Sequence, residues 1–415
     1  MSLSAIIKSC TYEELKIKIK QLRLHYFENK ETGLILVKYN QSNKELYNFD
    51  EQLIRYARGL IIDPKSKKIV CIPPEKSIHI IPFSQLVGNE NWLNVDIEEF
   101  VDGTMINCFY NKGWHISTRS YIGANCRWYS SKNFNELFNE AKGNLDFKKL
   151  NTKYCYTFVL THPDNRIVTN HETPNICLVQ VREIKEDSYE DISLNVTQEK
   201  MKDLGVEITI PKKYKISKPD DINDLLTKMD YQQQGLVFKY KGFRSKVRNM
   251  EYEKVKFLRG NNKNVFYNYI ELRQKGMVKE YLTYFPEFIE TFDNFRKEIE
   301  IKTMLLFNNY KEAYIYKKKE KKEIPFELKP LCYEMHGIYL NNKKKWDRKD
   351  VINFFNRLDP ARIIFIVNFE KNKEFHMENK KNLDEETNNL EETNNLEETI
   401  NLEETINVEE TINVE

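Results

Sequence analysis

The chain has 415 residues, 31% of them charged and 13% aromatic, with 13 glycines. That length allows a large buried core and two or three domains, and no apolar run reaches the length of a membrane span. The formal charge of +2 conceals an asymmetry: twelve of the 63 acidic side chains fall in residues 384–415, which hold no Lys or Arg, so residues 1–383 carry 65 basic against 51 acidic groups, or +14. A body that basic suits a polyanionic partner, although a Lys-rich solvated surface accounts for the composition equally well. The seven cysteines form no Cys-x-x-Cys pair and the seven histidines show no zinc spacing. With an opening stretch, MSLSAIIKSCTYEELK, that lacks a signal-peptide pattern, this suggests reduced thiols, a cytoplasmic location and no structural metal.

In chain order, Thr11 to Glu14 is a capping box and ELKIKIKQLRLHYF reads as a first helix. Gly33 to Tyr39 reads as a strand, and Arg58 to Asp63 with Lys68 to Ile72 as a hairpin. The stretch EEFVDGTMINCFYNKGWHISTRS, residues 98–120, stands at the centre. Thr104 to Tyr110 alternates as a strand, Asn111-Lys112-Gly113 is a turn, and Trp114 to Thr118 returns. Gly103 beside Asp102 at the hairpin mouth lets a ligand approach the backbone, and Thr118, Arg119 and Ser120 at its other end offer phosphate contacts. On its own this corner reads more readily as an ordinary Asp-Gly turn with surface polar residues than as a phosphate site.

Asn133 to Lys142 reads as a helix, Tyr154 to Leu160 and Ile176 to Ile184 as buried strands, and Asp220 to Met229 as a helix. Gln234 to Tyr240 and Phe243 to Arg248 form a last hairpin turning at Gly242, and Asn249 caps a helix ending near Gly260. The period then becomes helical, which sets expected domains at 1–261 and 262–370, the second mainly α. Residues 383–415 repeat a six-residue unit (LEETNN, LEETIN, VEETIN) whose leucines form no stripe on a helix, so 371–415 reads as a disordered low-complexity acidic tail.

The order of short motifs between Phe100 and Arg248 resembles that of phage-type RNA ligases of the covalent nucleotidyltransferase superfamily, and most nearly ligase-like proteins of large DNA viruses. That family begins with Lys-x-Asp-Gly, whose lysine takes AMP from ATP; here the tetrad is Phe100-Val101-Asp102-Gly103. Ser117-Thr118-Arg119 fits the second motif. The third keeps Pro163-Asp164-Asn165-Arg166-Ile167-Val168 but has Val159 in place of a glutamate. The fourth, normally Glu-Gly, is Gln234-Gly235, and the fifth, a Lys-x-Lys/Arg strand, is Lys246-Val247-Arg248. The losses are selective: a nucleophile and two carboxylates are replaced, while glycines, turn and basic strand remain.

The resemblance implies an α+β fold, with an ATP-grasp-like domain of antiparallel sheets followed by a mainly α domain. It implies RNA as partner, ATP as ligand and Mg²⁺ as cofactor, with the carboxylates that serve the metal missing and no membrane association. It also implies phosphate or nucleotide contacts at Arg58, Asp102, Gly103, Arg119, Asn165, Arg166, Lys239, Lys246 and Arg248. Trp114 and Phe158 are candidates to stack on a base or to fill the core. Phe100 cannot form a phosphoramidate, so conventional adenylation is not expected. Alternatives stay open: an active ligase with a relocated nucleophile (Lys76 or Lys246), or a non-catalytic viral scaffold. A viral origin would make the cytoplasm the host's, and the acidic tail would contact its own basic body or another protein.

Overall fold

The computed structural model describes residues 2–186, 188–193, 208–343, 345–374 and 377. The expected acidic tail lies outside them from residue 378 onward, whereas 371–374 are helical. The chain divides into two compact units between Lys263 and Asn264.

The first unit carries three antiparallel sheets. The first joins β1 (His25–Glu28), β2 (Ile35–Lys38), β3 (Arg58–Asp63) and β4 (Lys68–Cys71) in that order. The helices α1 (Leu3–Ser9), α2 (Tyr12–Gln21) and α3 (Gln52–Tyr56) share with it a core of Leu3, Leu15, Ile19, Ile35 and Leu60. The Thr11–Glu14 capping box starts α2. That helix stops at Gln21 instead of running through His25-Tyr26-Phe27: Arg23 takes a left-handed φ of 55°, and the next residues pair with β2.

A short helix, α4 (Ile80–Val87), precedes β5 (Asp96–Glu99). The central hairpin is β6 (Thr104–Tyr110) and β7 (Trp114–Ser117), turning where Lys112 has φ 57°. Then come α5 (Phe134–Ala141), capped by Asn133, and β8 (Tyr154–Thr161), β9 (Asn175–Ile184) and β10 (Tyr189–Asp191). The second sheet runs β10-β9-β8-β6-β7, and α5 closes one face of it over Ile106, Phe138 and Phe158.

The third sheet runs β11 (Lys213–Tyr214), β5, β12 (Gly235–Tyr240), β13 (Phe243–Arg248). Helices α6 (Asp221–Leu226) and α7 (Met250–Arg259) flank its last hairpin in sequence. That hairpin turns through Lys241 and Gly242, both at positive φ (45° and 76°), as a two-residue connection with right-handed strand twist requires. Its apolar face buries Ile97, Leu236 and Phe238 against Phe83 and Trp92, each side chain contributing about 1.5–3 kcal/mol. Strand β5 was not foreseen. Its sequence, Asp-Ile-Glu-Glu, is poor in strand formers, and tertiary contacts hold it.

The second unit is helical over its described residues: α8 (Val265–Lys275), α9 (Val278–Tyr284), α10 (Ile289–Tyr310), α11 (Lys329–Asn342), α12 (Arg348–Asn356) and a last stretch, α13, over 360–374. Stacked aromatics, among them Tyr281, Phe285 and Phe292, form its interior.

Candidate anion-binding site

Directly paired residues of an antiparallel ladder share a face. On the third sheet Glu98 pairs with Val237 and Val237 with Lys246, while Asp96 pairs with Lys239 and Lys239 with Arg244. Gly235 pairs with Arg248, and its carbonyl accepts the Phe100 amide at 2.9 Å. Asp96, Glu98 and Phe100 therefore look the same way as Lys239, Arg244, Lys246 and Arg248. Gly235 permits this closeness: it sits at φ +135°, and a Cβ there would lie 2.2 Å from the Val247 carbonyl oxygen.

One end of this face is electrically balanced. Glu98 is 3% exposed, and its two oxygens take Lys239 Nζ at 2.5 Å and Lys213 Nζ at 3.2 Å. Lys213 also reaches Asp96 at 2.6 Å, and Lys239 donates to the Val179 carbonyl at 2.9 Å. Lys239, expected at a phosphate, is committed to this network.

The other end is not balanced. Lys246 Nζ lies 5.0 Å above the Phe100 ring and the Arg248 guanidinium 5.8 Å from it. Arg248 pairs with Glu253 at 3.1 Å. Arg244 is buried, donates to Ser77 Oγ at 3.3 Å, and has a buried Nε without a partner. Arg58 of β3 reaches Tyr39 Oη at 3.3 Å, and its Nε is likewise buried and unpartnered. Arg119, just past β7, donates to the Tyr39 carbonyl at 2.6 Å and lies 4.6 Å over that ring, again with an orphaned Nε. Lys76 donates to the Ser77 carbonyl at 3.2 Å, and Lys38 to Ser120 Oγ at 2.9 Å.

These cations suppress one another. Burial, then Arg248, Arg244, Arg58 and Lys76, push the Lys246 ammonium down to about 6. Burial and Arg58 lower Lys76 and Arg244, burial and Arg119 lower Lys38, and burial outweighs the other influences on Arg119. The guanidinium groups stay charged, since arginine does not lose its proton in proteins. A cluster of cations with unsatisfied N–H groups suits an anion with several oxygens.

Other expected site residues serve the scaffold. Asp102 is 5% exposed, and its carboxylate accepts Tyr252 Oη at 2.7 Å and the amides of Val168 and Thr169 at 3.0 Å each. It ties the third-motif loop to α7 and leaves neither oxygen free of a protein partner. A Cβ on Gly103 would lie 2.4 Å from the Leu160 carbonyl oxygen, so this glycine lets β8 pass. Asn165 donates to Thr104 Oγ1 at 3.1 Å, and Arg166 to the Val168 carbonyl at 3.0 Å. Trp114 and Phe158 are core residues, packed with Tyr156. Lys38 and Arg244 were not foreseen. Extending the Lys246-x-Arg248 alternation back one step reaches Arg244; no local pattern marks Lys38.

A protein-held divalent cation does not fit the cationic end. The carboxylates bordering it are already engaged: Glu98 with two lysines, Glu75 with buried Arg182, and Asp102 as above. Elsewhere Glu140, His162 and Asp164 converge, but Lys132 bridges the carboxylates at 2.9 and 3.1 Å. His162 Nδ1 accepts the Asp164 amide at 3.1 Å, leaving Nε2–H to donate to Glu140 at 3.1 Å. This is a closed hydrogen-bonded cluster. No described helix is long and apolar enough to cross a membrane.

No family model matches the chain. A stretch of 109 residues is 35% identical to an RNA ligase of Rhodothermus phage RM378, covering 22% of this chain and 24% of that protein. Over 335 residues it is 24% identical to an immediate-early protein ICP-46 homolog of Invertebrate iridescent virus 3, covering 73% of this chain and 69% of that protein. The chain thus aligns with about a quarter of the phage ligase's length and about two thirds of the iridescent virus protein's. Among solved structures, an archaeal ATP-dependent RNA ligase aligns at 12% identity with a TM-score of 0.40, over 65% of this chain and 68% of that one. A putative ATP-dependent DNA ligase from Aquifex aeolicus aligns at 13% identity with a TM-score of 0.39, over 66% and 69%. The chain is thus similar in sequence to a phage RNA ligase over one stretch and to an iridescent virus protein over most of its length.

Proposed function

We propose that the chain binds the phosphates of RNA and of ATP at the cationic end of the third sheet, without forming an enzyme–AMP bond at the family's usual position. The observation that carries this reading is the pair Arg58 and Arg244 around Lys246, with Arg119 beside Arg58, each arginine with a buried, unpartnered Nε. Buried cations are costly unless something pairs with them, and phosphate oxygens supply both charge and acceptors. Phe100 offers an apolar, π-rich floor to Lys246 and Arg248 but has no lone pair with which to attack phosphorus. The phage relative named RNA ligase supplies the RNA part of the reading.

A second reading rests on Lys246. An ammonium pushed to about 6 is mostly neutral amine at pH 7, the form a nucleophile needs. In that reading Nζ attacks the α-phosphorus of ATP, a P–N bond forms, the bond to the bridging oxygen breaks, and pyrophosphate leaves while the amine loses its proton. Phosphate binding opposes this by drawing the proton back onto Lys246, which favours the first reading.

Intact-mass spectrometry after incubation with ATP and Mg²⁺ or Mn²⁺, beside a thermal melt, separates the two. The first reading expects an unchanged mass and a raised Tm. A gain of one AMP mapped to Lys246 replaces it with the second. Neither adduct nor Tm shift leaves the fold as a scaffold.

A further inference from the structure

A groove of about 900 Å³ opens beside the central hairpin, lined by Thr118 to Tyr121, Asn125 to Trp128 and Lys263, among others. It shares Thr104, Trp128 and Phe134 with a second hollow of about 390 Å³ that reaches Asn165, Lys256 and Phe257. No carboxylate lines the larger groove. Its side chains pair flat apolar faces with cations. Tyr121 is 54% exposed and Trp128 is 41% exposed, while Arg127 and Lys263 make no ion pair among the described residues. Tyr129 is pinned behind Trp128 by its hydroxyl on the Gly260 carbonyl at 2.9 Å and by Arg259 4.1 Å over its ring. Trp128 thus stands on a fixed neighbour and presents a free face.

Two further observations point to a ligand. Asn165 is 5% exposed and lines the hollow, and its Oδ1 is buried with no donor. A base amino group or a ribose hydroxyl satisfies such an acceptor. Arg119 lines this groove and lies near Arg58, one of the cations around Lys246, so a strand whose phosphates sit among those cations continues toward the groove.

We infer that this groove binds a single-stranded RNA segment, stacking bases on Trp128 and Tyr121 and placing phosphates on Arg127 and Lys263, as the outward continuation of the strand held at Arg119. Exposed aromatics with intervening cations suit unstacked bases; in a duplex those faces are hidden. Glu253 in the hollow does not repel the strand, because it is paired with Arg248. The inference rests on the phosphate-binding reading above and extends it beyond the first phosphates.

The test is fluorescence anisotropy of a labelled single-stranded oligoadenylate titrated with the full chain over a range of salt, with ATP binding measured in parallel. Trp128→Ala is expected to weaken RNA binding about tenfold, and Trp128→Phe to restore most of it. Joint replacement, Arg127→Ala with Lys263→Ala, is expected to lower the log–log salt slope by about 1.4. ATP binding stays unchanged in all three, which also reports folding. Unchanged RNA affinity and slope in these variants overturn the groove and leave the phosphate site standing. So does a duplex that competes as well as the single strand, or a wild type that binds ATP but no RNA. A wild type that binds neither, taking only an acidic protein partner, overturns both.

Discussion

Two positions on one face, Glu98 in β5 and Phe100 just past its end, differ by two residues and have opposite electrical fates. Glu98 sits buried with Lys239 and Lys213, and the charges of that network cancel within the protein. Phe100, the next residue on that face, lies under Lys246 and Arg248 and brings no charge; Arg248 takes Glu253, whereas Lys246 has no carboxylate partner among the described residues. The difference lies in which side chains the chain supplies at each end. Where the chain supplies its own counter-ion, the cations serve folding. Where it does not, they are held at a cost that only a ligand offsets, which is how a binding site differs from a salt-bridge network.

The largest expected effect breaks the balanced end. Glu98→Gln leaves Lys239 and Lys213 without their buried partner and should cost about 3–5 kcal/mol in urea unfolding; a loss below about 1 kcal/mol would show that Glu98 is dispensable to the sheet. Next, Asp102→Ala orphans two backbone amides and Tyr252 Oη, for an expected loss of about 3 kcal/mol with little direct effect on phosphate affinity in the protein that remains folded.

The unbalanced end should behave in the reverse sense. Lys246→Met should raise the stability of the unliganded protein by on the order of 1 kcal/mol, while weakening ATP about tenfold. This gain depends on pH. The folded value of Lys246, about 6, lies below its unfolded value near 10.4, so the unfolded chain binds the extra proton and wild-type stability rises with pH between the two. The Met variant lacks that slope. Its advantage should be greatest below pH 6 and vanish above pH 10; an advantage constant across thermal melts at pH 5, 7 and 9 would mean that the ammonium is not what destabilises the native state. The smallest effect belongs to Phe100→Leu, which removes the π face under Lys246 and should cost about 0.5–1 kcal/mol in the same melts.

The hairpins were legible because short-range chemistry dictates them: Asn111-Lys112-Gly113 and Lys241-Gly242 carry the left-handed conformations that their turns need. Asn133 and Asn249 likewise mark their helices through capping. Strand β5 was not legible, since Glu98 is buried through lysines 115 and 141 positions away. The cationic cluster was partly legible. The spacing of Lys246 and Arg248 signals a strand face, and Arg58 and Arg119 follow from family resemblance. What sequence could not separate was Lys239 from Lys246. They lie on the same face of one hairpin, and only the third strand decides which of them has a carboxylate. Asp102 is the converse case. Its motif suggests a ligand contact, whereas its carboxylate holds the loop at Val168 and Thr169.

The most direct measurement is calorimetric titration of the unliganded protein with ATP at low and at moderate salt, repeated on the double variant Arg119→Met, Lys246→Met. The expected result is saturable one-to-one binding that weakens with salt and is lost in the double variant while the fold persists. Absence of binding, or binding that the double variant retains in full, would mean that the cation cluster around Lys246 is not a phosphate site.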